Sequence, residues 1–300
     1  METFDIKEQC FESILLGDSV VEHIGTGFAF TEGPVWSNES LLFSDIPNNR
    51  ITRHSTGEEG LSITTFRYPS GNSNGLTLDL EGNLIACEHT NRRVSITDSD
   101  GQVKSLASRY RGKRLNSPND AVVKSDGWGY FTDPPYGLEK RMDDPAKELP
   151  FQGVYRLPKG ASDPVLLTKD VTRPNGIGFS PDEKKLYVAS SDPDKAIWMV
   201  YDVQDDGSIA NGKVFFDSPA WFKEGRPGLP DGLKVDKQGN IFATGPGGVL
   251  VFAPDGTHLG TIETGQKTAN CGFGDDGSVL YMTADMFFCR IKLSTTGLGF

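Results

Sequence analysis

The chain lacks most features that mark secreted, redox-active or membrane proteins. Only 4 of its 300 residues are cysteine, and they show neither CxxC spacing nor a zinc-type cluster. The opening residues METFDIKEQC contain no basic segment followed by an apolar one. We therefore expect no secretory signal, reduced thiols and a cytoplasmic location. No apolar run approaches the roughly 18 residues of a membrane helix, so no membrane partner is expected.

Positive charge is also scarce. The sequence has 30 Lys and Arg residues against 41 Asp and Glu residues, which gives a formal net charge of −11. An acidic surface argues against binding along a phosphate backbone, so no nucleic-acid partner is expected, whereas a cation ligand is compatible with it. No stretch has apolar residues at the spacing of a long amphipathic helix.

Turn residues, in contrast, are abundant, with 35 glycines and 18 prolines spread along the chain. This composition suits many short strands joined by tight turns. A segment recurs six times, each copy running from an acid or amide and a small residue through two strand-like runs separated by a turn. The copies are EGPVWSNESLLFSD (32–45), NGLTLDLEGNLIACE (74–88), NDAVVKSDGWGYFTD (119–133), NGIGFSPDEKKLYVAS (175–190), DGLKVDKQGNIFAT (231–244) and NCGFGDDGSVLYMT (270–283).

The spacing of these copies predicts the fold. Their first residues lie 39 to 56 residues apart, and about four strands per copy at such a period is typical of propeller blades. We predict an all-β, six-bladed β-propeller that forms a single domain over residues 1–300. The last copy leaves room for only two or three strands, so an N-terminal strand, near ESILLG around residue 14, should join the last blade and close the ring. The segments 137–151 and 218–230 are predicted to be loops over one mouth of the channel.

The first residue of each copy is the strongest candidate for chemistry. Any single Asn-Gly or Asp-Gly pair is typical of a plain turn. Six copies in register, however, place six side-chain oxygens at one mouth of a propeller channel. Two carboxylates and four amides suit a hard divalent cation, and the alternative is a water-filled channel lined by polar turn residues. The six residues are Glu32, Asn74, Asn119, Asn175, Asp231 and Asn270.

At these residues the chain resembles the SMP-30/gluconolactonase/luciferin-regenerating-enzyme family of six-bladed propeller hydrolases. The resemblance extends from about residue 14 to 292. It rests on several motifs in order and in register. These are TEGPVW with Glu32, CEHTNRRV at 87–94, LNSPNDAVV with Asn119, FTDPPYGL with Asp133 and Tyr136, RPNGIGFSPD with Asn175, and LPDGLKVD with Asp231.

The resemblance implies a lactonase that holds one divalent cation. Glu32, Asn175 and Asp231 would hold the ion, expected to be Ca²⁺ with Mg²⁺, Mn²⁺ or Zn²⁺ as alternatives. Asn119 would lie on or near the ion and touch the substrate, and Asp231 would accept and return a proton. One position departs from the family pattern, because the animal lactonases carry a substrate-binding arginine where this chain has Ser117.

The expected substrate is a small sugar lactone. Asn74, Asn119, Asp133 and Tyr136 are predicted to line the pocket and bind its hydroxyl groups. His89 is a further candidate, as a pocket residue, as a second proton carrier, or as a structural histidine in the channel wall. Two other functions stay open, namely a phosphotriesterase or arylesterase on the same metal site and a non-enzymatic calcium-binding propeller.

Overall fold

The computed structural model describes residues 4–57 and 60–300, and most of its strands form six large antiparallel sheets. We number these sheets as blades 1 to 6 by the order of their inner strands along the chain. From the inner strand outward, blade 1 comprises Thr31–Ser37, Ser40–Asp45, Arg50–Gly57 and Gly60–Arg67, and blade 2 comprises Ser73–Leu78, Leu84–Glu88, Arg93–Thr97 and Val103–Ala107. Blade 3 comprises Ala121–Val123, Gly129–Asp133, Gly153–Leu157 and Val165–Thr168, and blade 4 comprises Pro174–Phe179, Lys185–Asp192, Lys195–Val203 and Ile209–Asp217. Blade 5 comprises Leu233–Val235, Ile241–Gly245, Gly248–Phe252, His258–Ile262 and Phe4–Ile6, and blade 6 comprises Thr268–Gly274, Val279–Ala284, Phe287–Lys292 and Glu22–Gly25.

The inner strands close into a ring. The inner strand of each blade contacts the inner strand of the next blade, and that of blade 6 contacts that of blade 1. Every sheet is antiparallel, as short strands joined by tight turns require. The predicted all-β, six-bladed propeller is therefore confirmed.

An N-terminal strand completes the last blade, but it lies later than the sequence indicated. Glu22–Gly25 pairs with Phe287–Lys292 and forms the outer edge of blade 6. The predicted segment 12–17 pairs with this blade at a single bridge, Leu15 to Leu293, but forms no strand, because Ile14 packs into the core. Phe11, within the 3₁₀ turn Gln9–Ser13, and Ile14, directly after it, are buried in the core between blades 5 and 6.

Apolar side chains fill the space between neighbouring blades. Between blades 2 and 3, Val94 packs in one cluster with Phe131 and Tyr155, whose rings stack 5.2 Å apart. Full burial of a large apolar side chain contributes about 1.5–3 kcal/mol, so these interfaces hold the inner strands in fixed positions. Within the described residues all four cysteines are free, and three are buried. The buried ones are Cys87, Cys271 and Cys289, and Cys10 is exposed.

The two predicted loops connect strands at the end of the channel where the inner strands begin. The first follows the second strand of blade 3, and its only regular element is the 3₁₀ turn Arg141–Asp143. The second connects blade 4 to blade 5 and contains the short α-helix Pro219–Lys223. Together with the 3₁₀ turn Gln9–Ser13 these are the helical elements of the described chain, and none of them has the length and apolar character needed to cross a bilayer. The small hairpin Arg109–Tyr110 and Lys113–Arg114 precedes blade 3.

Candidate active site

The first residues of the six repeats lie at the start of the inner strands, at one end of the channel. Four are within an inner strand, and Asn119 and Asp231 stand two positions before theirs. Five of the six side chains are buried, and only that of Asp231 is partly exposed. The predicted register therefore brings side chains that are far apart in sequence to one mouth of the propeller.

The glycine after four of these first positions lets neighbouring blades approach each other closely. A Cβ atom at Gly176 would collide with the backbone of Asp231, and one at Gly232 would collide with the side chain of Asn270. The Gly232 N–H also donates to the Ala269 carbonyl at 2.8 Å. These Asn-Gly and Asp-Gly pairs therefore form contacts between blades, not the tight turns that they indicate in isolation.

Glu32 is held through one of its two carboxylate oxygens. Its Oε2 accepts the Gly33 N–H at 2.7 Å and the Asn270 Nδ2–H at 2.9 Å. Both donors go to Oε2, which leaves Oε1 available. Burial, followed by the nearby charge of Asp120, raises the pKa of Glu32 to about 7.

Asn175 is oriented by a serine from the next strand of its blade. Ser191 has a single hydroxyl proton, which it donates to the Pro230 carbonyl at 2.6 Å. The Ser191 oxygen must therefore accept the Asn175 Nδ2–H, at 2.7 Å. This arrangement fixes the amide of Asn175 and leaves its Oδ1 free to bind a cation.

Asp231 combines a fixed backbone with an unpaired oxygen. Its N–H donates to the Thr244 carbonyl at 3.0 Å, and its buried Oδ1 has no hydrogen-bond partner among the described residues. Burial, followed by the charge of Glu32, raises the pKa of Asp231 well above its usual range. A carboxylate with these properties is a stronger base than an exposed aspartate.

Asn270 does not offer its oxygen to the channel, contrary to the expectation that all six oxygens converge. Its Oδ1 accepts the Cys271 N–H at 2.9 Å, and its Nδ2 faces Glu32 and, at 3.5 Å, Asp120. Asp120 is a buried carboxylate outside the predicted set of six residues, and its Oδ1 accepts the Ala121 N–H. A signal was available, since Asp120 stands where four other copies have glycine.

Blade 2 contributes a buried amide and a neutral histidine. Asn74 Nδ2 lies 3.3 Å from His89 Nε2, and the buried Asn74 Oδ1 has no partner among the described residues. Burial lowers the pKa of His89 to about 4, so its imidazole is neutral at pH 7. This neutrality favours a hydrogen-bonding role for His89 over that of a second proton carrier.

Asn119 lies between blades 2 and 3 with its backbone fixed on both sides. Its N–H donates to the Thr132 carbonyl, and its carbonyl accepts the Gly75 N–H at 2.7 Å. Its side-chain amide forms no hydrogen bond with another described residue, which leaves it available to a ligand. Asp133 accepts the Asn116 N–H at 2.8 Å and so holds the turn that leads into Asn119.

Ser117 uses its hydroxyl to bond the backbone of the following turn. It is fully buried, donates to the Pro134 carbonyl at 2.8 Å and accepts the Gly137 N–H at 2.8 Å. These bonds fix the turn that carries Tyr136. Burial raises the pKa of Tyr136 well above its usual range, so its hydroxyl, which has no hydrogen-bond partner among the described residues, stays a donor near Asp231.

Three side-chain oxygens at this mouth are free and are of the chemical type that a divalent cation binds. Glu32 Oε1, Asn175 Oδ1 and Asp231 Oδ1 accept no hydrogen bond from other described residues, and no lysine or arginine in the described chain forms an ion pair with either carboxylate. Across residues 4–57 and 60–300, no three His, Cys, Asp or Glu side chains converge as a metal cluster. The candidate donor set is therefore two carboxylates and an amide, with oxygen donors of the kind that hard cations prefer.

These buried carboxyl groups predict an unusual pH dependence for the metal-free protein. Glu32 titrates near 4.5 when unfolded and at about 7 when folded, so the folded state binds more protons between these values. Its contribution to stability is complete below pH 4.5 and is lost as the pH rises to about 7. In chelator, we expect the Tm to fall by several degrees between pH 5 and pH 8, measured by calorimetry.

The Glu32→Gln variant provides the control for this pH dependence, because its amide does not titrate. Its Tm should fall less over the same pH range, and excess Ca²⁺ should reduce the fall in the wild-type protein. A wild-type Tm in chelator that rises or stays level from pH 5 to pH 8 would contradict the electrostatic description of this site.

Comparisons with known proteins show which family this chain is similar to. A protein-family model described as "SMP-30/Gluconolactonase/LRE-like region" matches residues 30–285. A gluconolactonase from Zymomonas mobilis is 38% identical and aligns with 95% of this chain and 85% of its own length. A pentonolactonase from Haloferax volcanii is 27% identical, with 88% of this chain and 84% of that protein aligned.

Solved structures show the same architecture. A gluconolactonase from Xanthomonas campestris superimposes with a TM-score of 0.86 at 32% identity, covering 97% of this chain and 95% of that one. A luciferin-regenerating enzyme has a TM-score of 0.74 at 18% identity, covering 93% and 97%, and supports the fold alone.

Proposed function

Because the chain belongs to the SMP-30/gluconolactonase/LRE-like family, we propose that it is a metal-dependent lactonase that opens a small sugar lactone. The observation that carries this proposal is the set of three free oxygens, on Glu32, Asn175 and Asp231, at the mouth of the channel. Relatives named as lactonases support the substrate class.

Glu32, Asn175 and Asp231 would hold the cation, with the amide of Asn119 beside them. Their oxygen-only chemistry favours Ca²⁺ over metals that prefer nitrogen or sulfur, although Mg²⁺, Mn²⁺ and Zn²⁺ belong in the test. When bound, the cation would polarise the lactone carbonyl as a Lewis acid.

Asp231 is the proposed proton carrier. Its raised pKa and partial exposure suit a carboxylate that takes a proton from the attacking water. The water oxygen forms a bond to the lactone carbonyl carbon, and the bond from that carbon to the ring oxygen then breaks. Asp231 returns the proton to the departing ring oxygen, so the product is a hydroxy acid and the carboxylate is restored.

The surrounding side chains would orient the sugar ring. Tyr136 has a free hydroxyl donor on one wall, and Asn74 has a free Oδ1 acceptor on blade 2. Hydroxyl groups of the substrate both donate and accept, so a polyol can satisfy both walls at once. His89 bonds Asn74 and fixes its amide, and Asp133 holds the turn before Asn119.

A proton-release assay over a substrate panel tests this function. The chelated protein is supplied in turn with Ca²⁺, Mg²⁺, Mn²⁺ and Zn²⁺ and offered aldonolactones, an aryl ester and a phosphotriester, with the uncatalysed hydrolysis subtracted. We expect turnover of aldonolactones that requires added metal. Preference for the phosphotriester or aryl ester, turnover that survives chelation, or metal binding without turnover of any substrate would each contradict the proposal.

A further inference from the structure

Arg173 occupies a repeat position whose equivalent in blade 3 is Ser117. Both residues precede a Pro-Asn pair, and the asparagines are Asn119 and Asn175. Ser117 is fully buried and uses its hydroxyl to bond the backbone on both sides, whereas Arg173 is partly exposed directly before the inner strand Pro174–Phe179. The same position therefore has a structural role in blade 3 and places a free cation beside the channel mouth in blade 4.

The charge of Arg173 has no partner within the described chain. No carboxylate among the described residues lies within ion-pair distance of its guanidinium, and the guanidinium donates no hydrogen bond to them. Its backbone carbonyl accepts the Ser191 N–H at 3.0 Å, which anchors it next to the serine that orients Asn175. Its positive charge also acts on Tyr136. Burial raises the pKa of the Tyr136 phenol, and the charge of Arg173 lowers it by a smaller amount.

The mouth thus has donors on one wall and an acceptor on another. Arg173 and Tyr136 are uncommitted donors from blades 4 and 3, and the buried Asn74 Oδ1 is an uncommitted acceptor from blade 2. A guanidinium presents its N–H groups as a planar fork, which can bind two adjacent oxygen atoms together.

We propose that Arg173 is a specificity-determining residue that binds adjacent ring hydroxyls of the lactone. This inference rests on the proposed lactonase function and defines its substrate class as a neutral polyhydroxylated lactone. A neutral ring is favoured over an anionic one because the acidic side chains of Glu32, Asp120 and Asp231 lie together at this mouth and would repel a negative charge on the substrate. Arg173 would therefore select substrates by their hydroxyl groups and would leave the opening of the ring to the other residues.

The test compares two lactones of the same ring size, D-glucono-δ-lactone and δ-valerolactone, which lacks the hydroxyl groups. For Arg173→Ala we expect kcat/KM on gluconolactone to fall about 10- to 100-fold, mainly through KM, as for a lost hydrogen bond to a charged group. On δ-valerolactone the same variant should stay within about threefold of wild type, since no hydroxyl contact exists to be lost. Arg173→Lys should be intermediate, because it keeps the charge and loses the fork.

Lys213→Ala is the matched control, since it removes one positive charge from the exposed outer strand of the same blade. Its kcat/KM should equal that of the wild type on both lactones. Equal losses on both lactones, no loss on either, or full recovery in Arg173→Lys would overturn the hydroxyl-binding role. A wild-type preference for a phosphorylated lactone that Arg173→Ala abolishes would overturn it in favour of an anion site. If the metal-loaded wild-type protein hydrolyses neither lactone, the proposed function fails as well, a result distinct from the others.

Discussion

Replacing Asp231 with asparagine should lower kcat/KM for lactone hydrolysis by about 10²- to 10⁴-fold, the usual contribution of a general base. Asparagine preserves the shape of the side chain and an oxygen for the cation but cannot take up a proton from water. Because the carboxylate of Asp231 is the proposed base and its Oδ1 has no partner in the described chain, no neighbouring group should replace it. Steady-state kinetics with saturating Ca²⁺ measures the loss.

The control for this substitution is Asp194→Asn, which changes an exposed carboxylate in a turn of blade 4. It should leave kcat/KM within about twofold of wild type. Calorimetry should show that both variants fold. Near-native turnover by folded Asp231→Asn would show that another group carries the proton and would remove Asp231 from the mechanism.

The second large effect is expected for Glu32→Gln, which should abolish both metal-dependent turnover and stabilisation by Ca²⁺. At 100 times its Kd a ligand stabilises the folded state by about 2.7 kcal/mol, which corresponds to roughly 4 °C in the Tm of a 300-residue protein. The substitution replaces one of the two carboxylates of the donor set with a neutral amide, so the remaining site should bind a dication far more weakly. Thermal denaturation across a Ca²⁺ titration measures this difference.

Glu12→Gln is the matched substitution for that experiment, because Glu12 is exposed in the 3₁₀ turn Gln9–Ser13. It should keep the full Ca²⁺-dependent shift. An equal shift in the Glu32→Gln protein would place the cation elsewhere in the molecule.

The fold was predictable because a propeller repeats its pattern. Six copies in register indicated six blades, and the incomplete last copy indicated a closing strand. The exact strand was not predictable, since both segment 12–17 and Glu22–Gly25 contain residues that can form a strand. Tertiary packing decides between them, because burial of Ile14, beside the preceding Phe11, commits the first segment to the core.

The candidate site was predictable in its residue types but not in its orientations. Glu32, Asn175 and Asp231 follow from the repeat register and the family resemblance. Asn270 has the same register, yet its oxygen is bound by its own neighbouring N–H, which no sequence pattern reveals. Ser191, which orients Asn175, was missed because a serine at a strand end has no distinctive signal, and its role depends on a carbonyl 39 residues away.

The central claim is that one cation is held by Glu32, Asn175 and Asp231 at the mouth of the channel. A crystal structure of the protein grown with Ca²⁺, with the ion identified by its anomalous scattering, tests it most directly. We predict a single ion in the channel, about 2.3–2.6 Å from an oxygen of each of the three side chains. An ion bound outside the channel, or active crystals whose channel contains none, would contradict the account.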